Sequence, residues 1–237
     1  VHVPDIIPIP ALPDGISPRG EHDLILLFPH RPIATKGVDE AIRTAVAVQK
    51  IESAKNVRLL IPAYPADSNF DEVAGSTDEL MKLASDLGGV DIVELHSWLS
   101  TTEMAEYYAA GDVTLCIGSF VESFGLVPVE SVANGTPAVC ARVGAFRQFA
   151  DVDGITLVPY GQIDASTQAV LSAAGALEDL IESGRSQISH AYSPYSMIQG
   201  YELIISQTLS DERKIELAAD DQLSFAPWCD IQGQEIY

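Results

Sequence analysis

Short, mostly apolar runs alternate with amphipathic segments along most of this chain, and that alternation restricts the fold more than any other feature. Leu24-Ile25-Leu26-Leu27-Phe28 is an apolar run of strand length, and Val57 to Ile61, Asp91 to Leu95, Val113 to Ile117, Pro137 to Ala141 and Ile155 to Val158 repeat it. Between them, Val38, Ala41, Ile42, Ala45 and Val48 fall near 3.6 spacing and predict a helix over 37–54. Further helices are predicted over 76–87, 101–110, 165–183 and 194–208, with another opening near Gly125. A strand that is apolar on both faces must be covered on both faces, which short crossover helices do. The expected fold is therefore α/β, an open doubly wound parallel sheet of Rossmann-like type. Ligands of such sheets sit in the loops beyond the carboxyl ends of the strands. Those loops fall around 29–37, 62–68, 95–101, 117–126 and 142–148.

Both ends depart from the alternation. Residues 1–20 contain Pro4, Pro8, Pro10, Pro13 and Pro18 and read as an extended linker. The domain is expected to occupy 21–208. Residues 209–237 form an acidic tail with Phe225, Trp228 and Tyr237, expected to dock on this domain or to cross to another.

Charge excludes some partners. Against 34 acidic residues stand 13 basic ones, a net charge of −21. Nucleic acids and anionic membranes need basic surfaces, so neither is expected as a partner. No apolar run is long enough for a transmembrane segment. No secretory signal opens the sequence, and Cys116, Cys140 and Cys229 lack metal-binding spacing, so a cytoplasmic location with reduced thiols is expected.

Two loops carry the chemistry. The first, Phe28-Pro29-His30-Arg31-Pro32-Ile33-Ala34-Thr35-Lys36-Gly37, follows the first strand and brings two cations to the carboxyl edge. Arg31 offers a planar fork and Lys36 a point charge, which suits a diphosphate. Taken singly, both read as solvated charges on a turn. The second, after the fourth strand, runs from Gly118 through Glu122 and Gly125 to Glu130 and on to Asn134-Gly135-Thr136-Pro137. Pro128 fits the first turn of a helix, and free amides from Gly125 to Val127 would make an anion site there. Glu130, farther along, suits a ribose diol, and Glu122, in the loop, a sugar hydroxyl.

The segment Glu122-Ser-Phe-Gly-Leu-Val-Pro-Val-Glu130, followed by Ala-Asn-Gly-Thr-Pro, resembles the donor-site motif of the "group 1" family of retaining GT-B glycosyltransferases. Arg31 with Lys36-Gly37 is similar to that family's Gly-Arg…Lys-Gly loop. Leu12-Pro13-Asp14-Gly15-Ile16 resembles its lead-in to the donor domain, and Ala105 to Val113 the segment before its fourth strand. The resemblance covers about residues 12 to 208. It implies the C-terminal, nucleotide-sugar-binding half of such an enzyme, with a nucleotide diphosphate sugar as substrate, no cofactor and no metal. Arg31, Lys36 and Glu122 would act on the diphosphate and the transferred sugar. Glu130 would bind the ribose, Phe124, Gly125 and Leu126 the sugar or phosphate, Ser97 and Trp98 the base, and Thr136 the ribose or phosphate. An N-terminal acceptor domain, not contained in this chain, would complete the cleft, and the chain alone would turn over poorly.

Some positions depart from the family pattern. His30 stands where Gly is usual and would narrow or tune the phosphate loop. Ala63-Tyr64-Pro65 replaces a Gly-rich turn, and Gly144-Ala145-Phe146-Arg147-Gln148 replaces a Gly-Gly…Glu loop. Asp151-Val152-Asp153 reads as a turn before Gly154 rather than a metal motif. Other readings are a sugar-nucleotide epimerase, a binding module with a decayed site, and a pyridoxal-dependent phosphorylase. None of the five lysines, Lys36, Lys50, Lys55, Lys82 and Lys214, has a setting that favours the last. The acidity and scarcity of lysine point to adaptation to a salty interior, because counterions relieve repulsion in a compact anion. The melting temperature is therefore expected to rise as potassium chloride is added in a thermal-shift series; a flat response would contradict this.

Overall fold

The computed structural model describes residues 15–63 and 77–210. Tyr64, the residues 12–14 of the lead-in and the tail from 211 onward lie outside the described residues. Six strands form one parallel sheet: β1 Asp23–Leu27, β2 Asn56–Pro62, β3 Val93–His96, β4 Val113–Cys116, β5 Ala138–Ala141 and β6 Ile155–Val158. Their order is β3-β2-β1-β4-β5-β6. The helices are α1 Val38–Ile51, α2 Thr77–Asp86, α3 Met104–Ala110, α4 Leu126–Ala133, α5 Ile163–Ala174, α6 Glu178–Tyr192 and α7 Pro194–Ser210. The strand order reverses between β1 and β4, and that switch point opens a crevice at the carboxyl edge.

The period of β1 explains the two-sided cover. Leu24, Leu26 and Phe28 join the core under α1 and α5, while Ile25 and Leu27 join Tyr107 and Tyr108 on the other face. A third cluster, with Val129, Val132, Phe146 and Phe149, fastens α4 and α6 to β5 and β6. Burying a large apolar side chain is worth roughly 1.5–3 kcal/mol, so these faces hold the layers together.

One expectation fails in its boundaries. The helix predicted over 165–183 is broken: α5 stops at Ala174, and α6 starts at Glu178 after Leu177, whose backbone is extended. Gly175 follows α5 directly, and glycine costs about 1 kcal/mol in a helix interior. Leu177 is left exposed at the corner. The last helix, α7, exposes Tyr195, Met197, Ile198, Tyr201, Leu203, Ile204 and Ile205.

A charged side chain inside the sheet was not expected. Arg58, within β2, is buried and bonds Asp23 of β1 at 2.6 Å and Glu94 of β3 at 2.8 Å. It also donates to the carbonyls of Ser17 and Pro18, so it ties the incoming chain to three strands. Burial works to raise the Asp23 pKa. The Gly20 amide, Asn56 and Arg58 outweigh it and hold that pKa at about 2, below its ordinary 3.8. A carboxyl whose pKa falls on folding stabilises the fold above its unfolded pKa and loses that contribution as pH falls through its folded value. Stability should therefore drop between about pH 4 and pH 2 in acid titrations followed by circular dichroism. Asp23→Asn should flatten that slope, and Arg58→Leu, which strands two carboxylates, should cost about 3 kcal/mol in urea melts.

Candidate functional site

The loop after β1 and the loop after β4 meet at the switch point. A 3-10 turn at Ala34–Lys36 ends at Gly37, whose φ of 89° is left-handed. A Cβ on Gly37 would lie 2.5 Å from the Gly118 nitrogen, and one on Gly118 would lie 2.2 Å from the Lys36 carbonyl carbon. Only glycine fits on either side of this crossing. The Phe120 amide then donates to the Thr35 carbonyl at 2.8 Å, which fixes the two loops in register.

That crossing brings Lys36 to Glu122. Their ammonium and carboxylate form an ion pair, both groups are mostly buried, and the Lys36 nitrogen also sits 3.8 Å from the centre of the Phe120 ring. Two adjoining hollows share Glu122 and Phe146. One is a narrow crevice lined by His30, Thr35, Lys36, Cys116, Gly118 and Phe120. The other, about 170 Å³, is walled by Ser123, Phe124, Gly125, Leu126 and Val127 at the start of α4. No side chain caps that helix start, where Gly125 is left-handed at φ 87°. Helix amides and the macrodipole there favour an anion. The fit is close: a Cβ on Gly125 would stand 2.8 Å from the Phe146 ring.

Of the residues expected from sequence, Lys36, Glu122, Phe124, Gly125 and Leu126 are brought together. Phe124 stacks edge-on with Tyr192 at 5.7 Å and accepts from Gln148 through its carbonyl at 2.9 Å. Arg31 lies on the same loop as Lys36 and is exposed. Ser97 and Trp98 are exposed on the loop after β3, at the same edge of the sheet. There the Nδ1–H of His96 donates to the Ser97 carbonyl at 2.8 Å, and burial lowers the His96 pKa.

Glu130 stands on α4 about 6 Å along the axis from Leu126. Its carboxylate accepts from the Tyr108 hydroxyl at 3.1 Å. Burial, and then the Glu130 charge, push the Tyr108 pKa far above its ordinary value, so it remains a donor. Glu130 also edges a hollow of about 980 Å³, which runs along α4, α6 and α7. The cation in that groove, Arg185, is engaged with Glu182 and the Ala133 carbonyl. The smaller hollows at the switch point differ from that groove in setting a cation beside the open start of α4.

Thr136 does not join the site. It is buried at the opposite edge of the sheet, and its hydroxyl donates to the Tyr108 carbonyl at 2.6 Å. It follows α4 and leads into β5, so it lies at the amino end of a strand, where it ties α3 to that turn. Asp153 likewise serves the fold: it accepts from Ser183 at 2.6 Å and Gln187 at 3.0 Å of α6. Among the described residues, no cluster of three or more His, Cys, Asp or Glu side chains could hold a metal. Among them, too, no helix is long and apolar enough to cross a membrane. Sequence reasoning passed over Tyr108 and Gly118. A glycine directly after an apolar strand was a signal for Gly118; nothing in the sequence pairs Tyr108 with Glu130.

Known proteins resemble this chain in sequence and in fold. The chain is 32% identical over 170 residues to D-inositol 3-phosphate glycosyltransferase 2 of Catenulispora acidiphila, covering 70% of this chain and 39% of that protein. It is also 32% identical over 174 residues to D-inositol 3-phosphate glycosyltransferase of Streptomyces griseus, covering 72% of this chain and 36% of that protein. The chain thus spans less than half the length of these relatives. Among solved structures, Anabaena HepE in complex with UDP superposes with a TM-score of 0.66 at 16% identity, over 78% of this chain and 49% of that one. Sucrose-phosphate synthase from Thermosynechococcus elongatus gives 0.61 at 22% identity, over 78% and 45%. These show a shared fold. The family profile described as "Glycosyl transferases group 1" matches residues 15–187. By that match over most of its length, the chain belongs to the group 1 glycosyltransferase family.

Proposed function

We propose that this chain is the donor-binding half of a retaining glycosyltransferase, which takes a sugar from a nucleoside diphosphate. The observation that carries the proposal is the Lys36–Glu122 pair set beside the uncapped start of α4. A nucleoside diphosphate leaving group develops negative charge on its phosphate oxygens. A preorganised ammonium and helix amides stabilise that charge without reorganising. Arg31, on the same loop, adds a second cation at the rim.

Glu122 has a different task. Before the donor arrives it holds Lys36 in place; with the donor bound, its second oxygen is positioned to accept from a hydroxyl of the transferred sugar. Glu130, oriented by Tyr108, accepts from the ribose hydroxyls. The base stacks or bonds along Ser97 and Trp98. That HepE was crystallised with UDP, and separately with UDP-glucose, supports a donor of this class. The acceptor is assigned to a second domain facing the open carboxyl edge, consistent with relatives more than twice as long as the matched region.

Calorimetry with UDP, GDP and ADP tests the site. At least one should bind, and Lys36→Ala should weaken it by tenfold or more, with Glu130→Ala weakening it severalfold and melting temperatures unchanged. Unaltered affinity in both variants would refute the assignment. Glu122→Gln should behave in the opposite sense for the nucleotide alone. It leaves Lys36 free for phosphate and should tighten diphosphate binding, while removing the preference for the sugar-bearing donor over the bare diphosphate.

A further inference from the structure

Among the described residues lining the switch-point crevice, His30 has a buried ring nitrogen with no hydrogen-bond partner. It lies just past β1, is 7% exposed, and its ring meets Phe28 edge-on at 5.2 Å and 70°. Its Nε2 is buried and has no hydrogen-bond partner among the described residues. A buried polar nitrogen left unsatisfied costs about 1–3 kcal/mol, so the position is expensive unless something fills it. The neighbouring Cys116 thiol, whose pKa burial raises, also meets the His30 ring, yet it leaves Nε2 without a partner.

The surroundings define the missing group. The crevice that His30 shares with Lys36 and Glu122 has a volume of about 10 Å³, room for one oxygen atom rather than a sugar ring. Lys36 supplies positive charge at that point, and the α4 start opens into the adjoining hollow. An imidazole that carries a proton on Nε2 offers a hydrogen-bond donor at that point. Phe28 and the crevice walls hold the ring still, so little entropy is lost when a ligand binds.

We infer that His30 donates a hydrogen bond from Nε2 to an oxygen of the terminal phosphate of the nucleoside diphosphate, and that it thereby sets the preference of this chain for diphosphates over monophosphates. This rests on the donor-site reading given above. The α-phosphate stays with the amides and Arg31, whereas the oxygen that enters the crevice belongs to the phosphate that carries the sugar. His30 is a binding residue on this account, and it acts on the leaving group at the bond that breaks.

The test compares UDP, GDP and ADP with their monophosphates by calorimetry on the 237-residue chain. His30→Leu should weaken the diphosphate at least tenfold and change the monophosphate less than twofold. His30→Gln, whose amide nitrogen reaches the place of Nε2, should stay within threefold of the unaltered protein, and His30→Asn, which is one bond shorter, should resemble the Leu variant. Equal losses for mono- and diphosphate, or a Leu variant that binds as tightly as the original, would overturn the inference, because water would then be the occupant. If the Leu variant fails to fold, the Gln and Asn variants decide, and equal affinity in those two would also overturn it. If the unaltered chain binds none of the three diphosphates, the donor-site reading itself falls, and this inference with it.

Discussion

Two backbones pressed together at Gly37 and Gly118 are the constraint on which the candidate site depends. The loops that follow β1 and β4 are far apart in sequence, yet each places its main chain where a single methyl group of the other would collide. This contact sets where Lys36 points. It also aims the stretch that carries Glu122 and the beginning of α4. Any residue larger than glycine at either place would push the ammonium away from the helix and split one pocket into two surfaces. The site is therefore a property of main-chain packing first, and of side-chain chemistry second.

Electrostatics then does its work against an unfavourable background. The chain carries 21 more acidic than basic residues, and a donor with two phosphates would be repelled by the protein as a whole. A local reversal of potential is needed at one spot. On the proposed reading, Lys36, held 3.8 Å from the centre of the Phe120 ring, the positive end of α4 and the exposed Arg31 would supply it. The carboxylate that restrains Lys36 keeps the ammonium from wandering into solvent, and the ion pair is sheltered enough that salt screens it weakly.

Most of the architecture was legible in the sequence because the strands are apolar on both faces, and that pattern has few physical solutions. The convergence of Lys36, Glu122 and the α4 residues was legible because the sheet rule names the loops that meet at the carboxyl edge. Three things could not be read. Arg58 lies within a strand that reads as apolar, and its value depends on Asp23 and Glu94 from strands to either side, a coincidence of register. Thr136 sits close in sequence to Glu130 but at the other end of the sheet, since a helix carries the chain across its full height. The break between α5 and α6 turns on Gly175, and a single glycine inside a periodic segment does not by itself announce a corner.

The pairing of β1 with β4 has a consequence for how the chain assembles. It is a short seam: the register joins Leu26 to Val113 and Leu27 to Thr114, whereas β1 and β2 pair over their whole common length. Strands β1 to β3 and strands β4 to β6 are each built from neighbours in sequence, so each half can condense locally. Closing the seam requires a long loop to be gathered, which is slow in chains dominated by distant contacts. The seam is thus expected to zip late and to part early under force or denaturant. A molecule bound astride it acts as a rivet between two folding units, and occupancy of the crevice becomes a kinetic lock on the whole sheet.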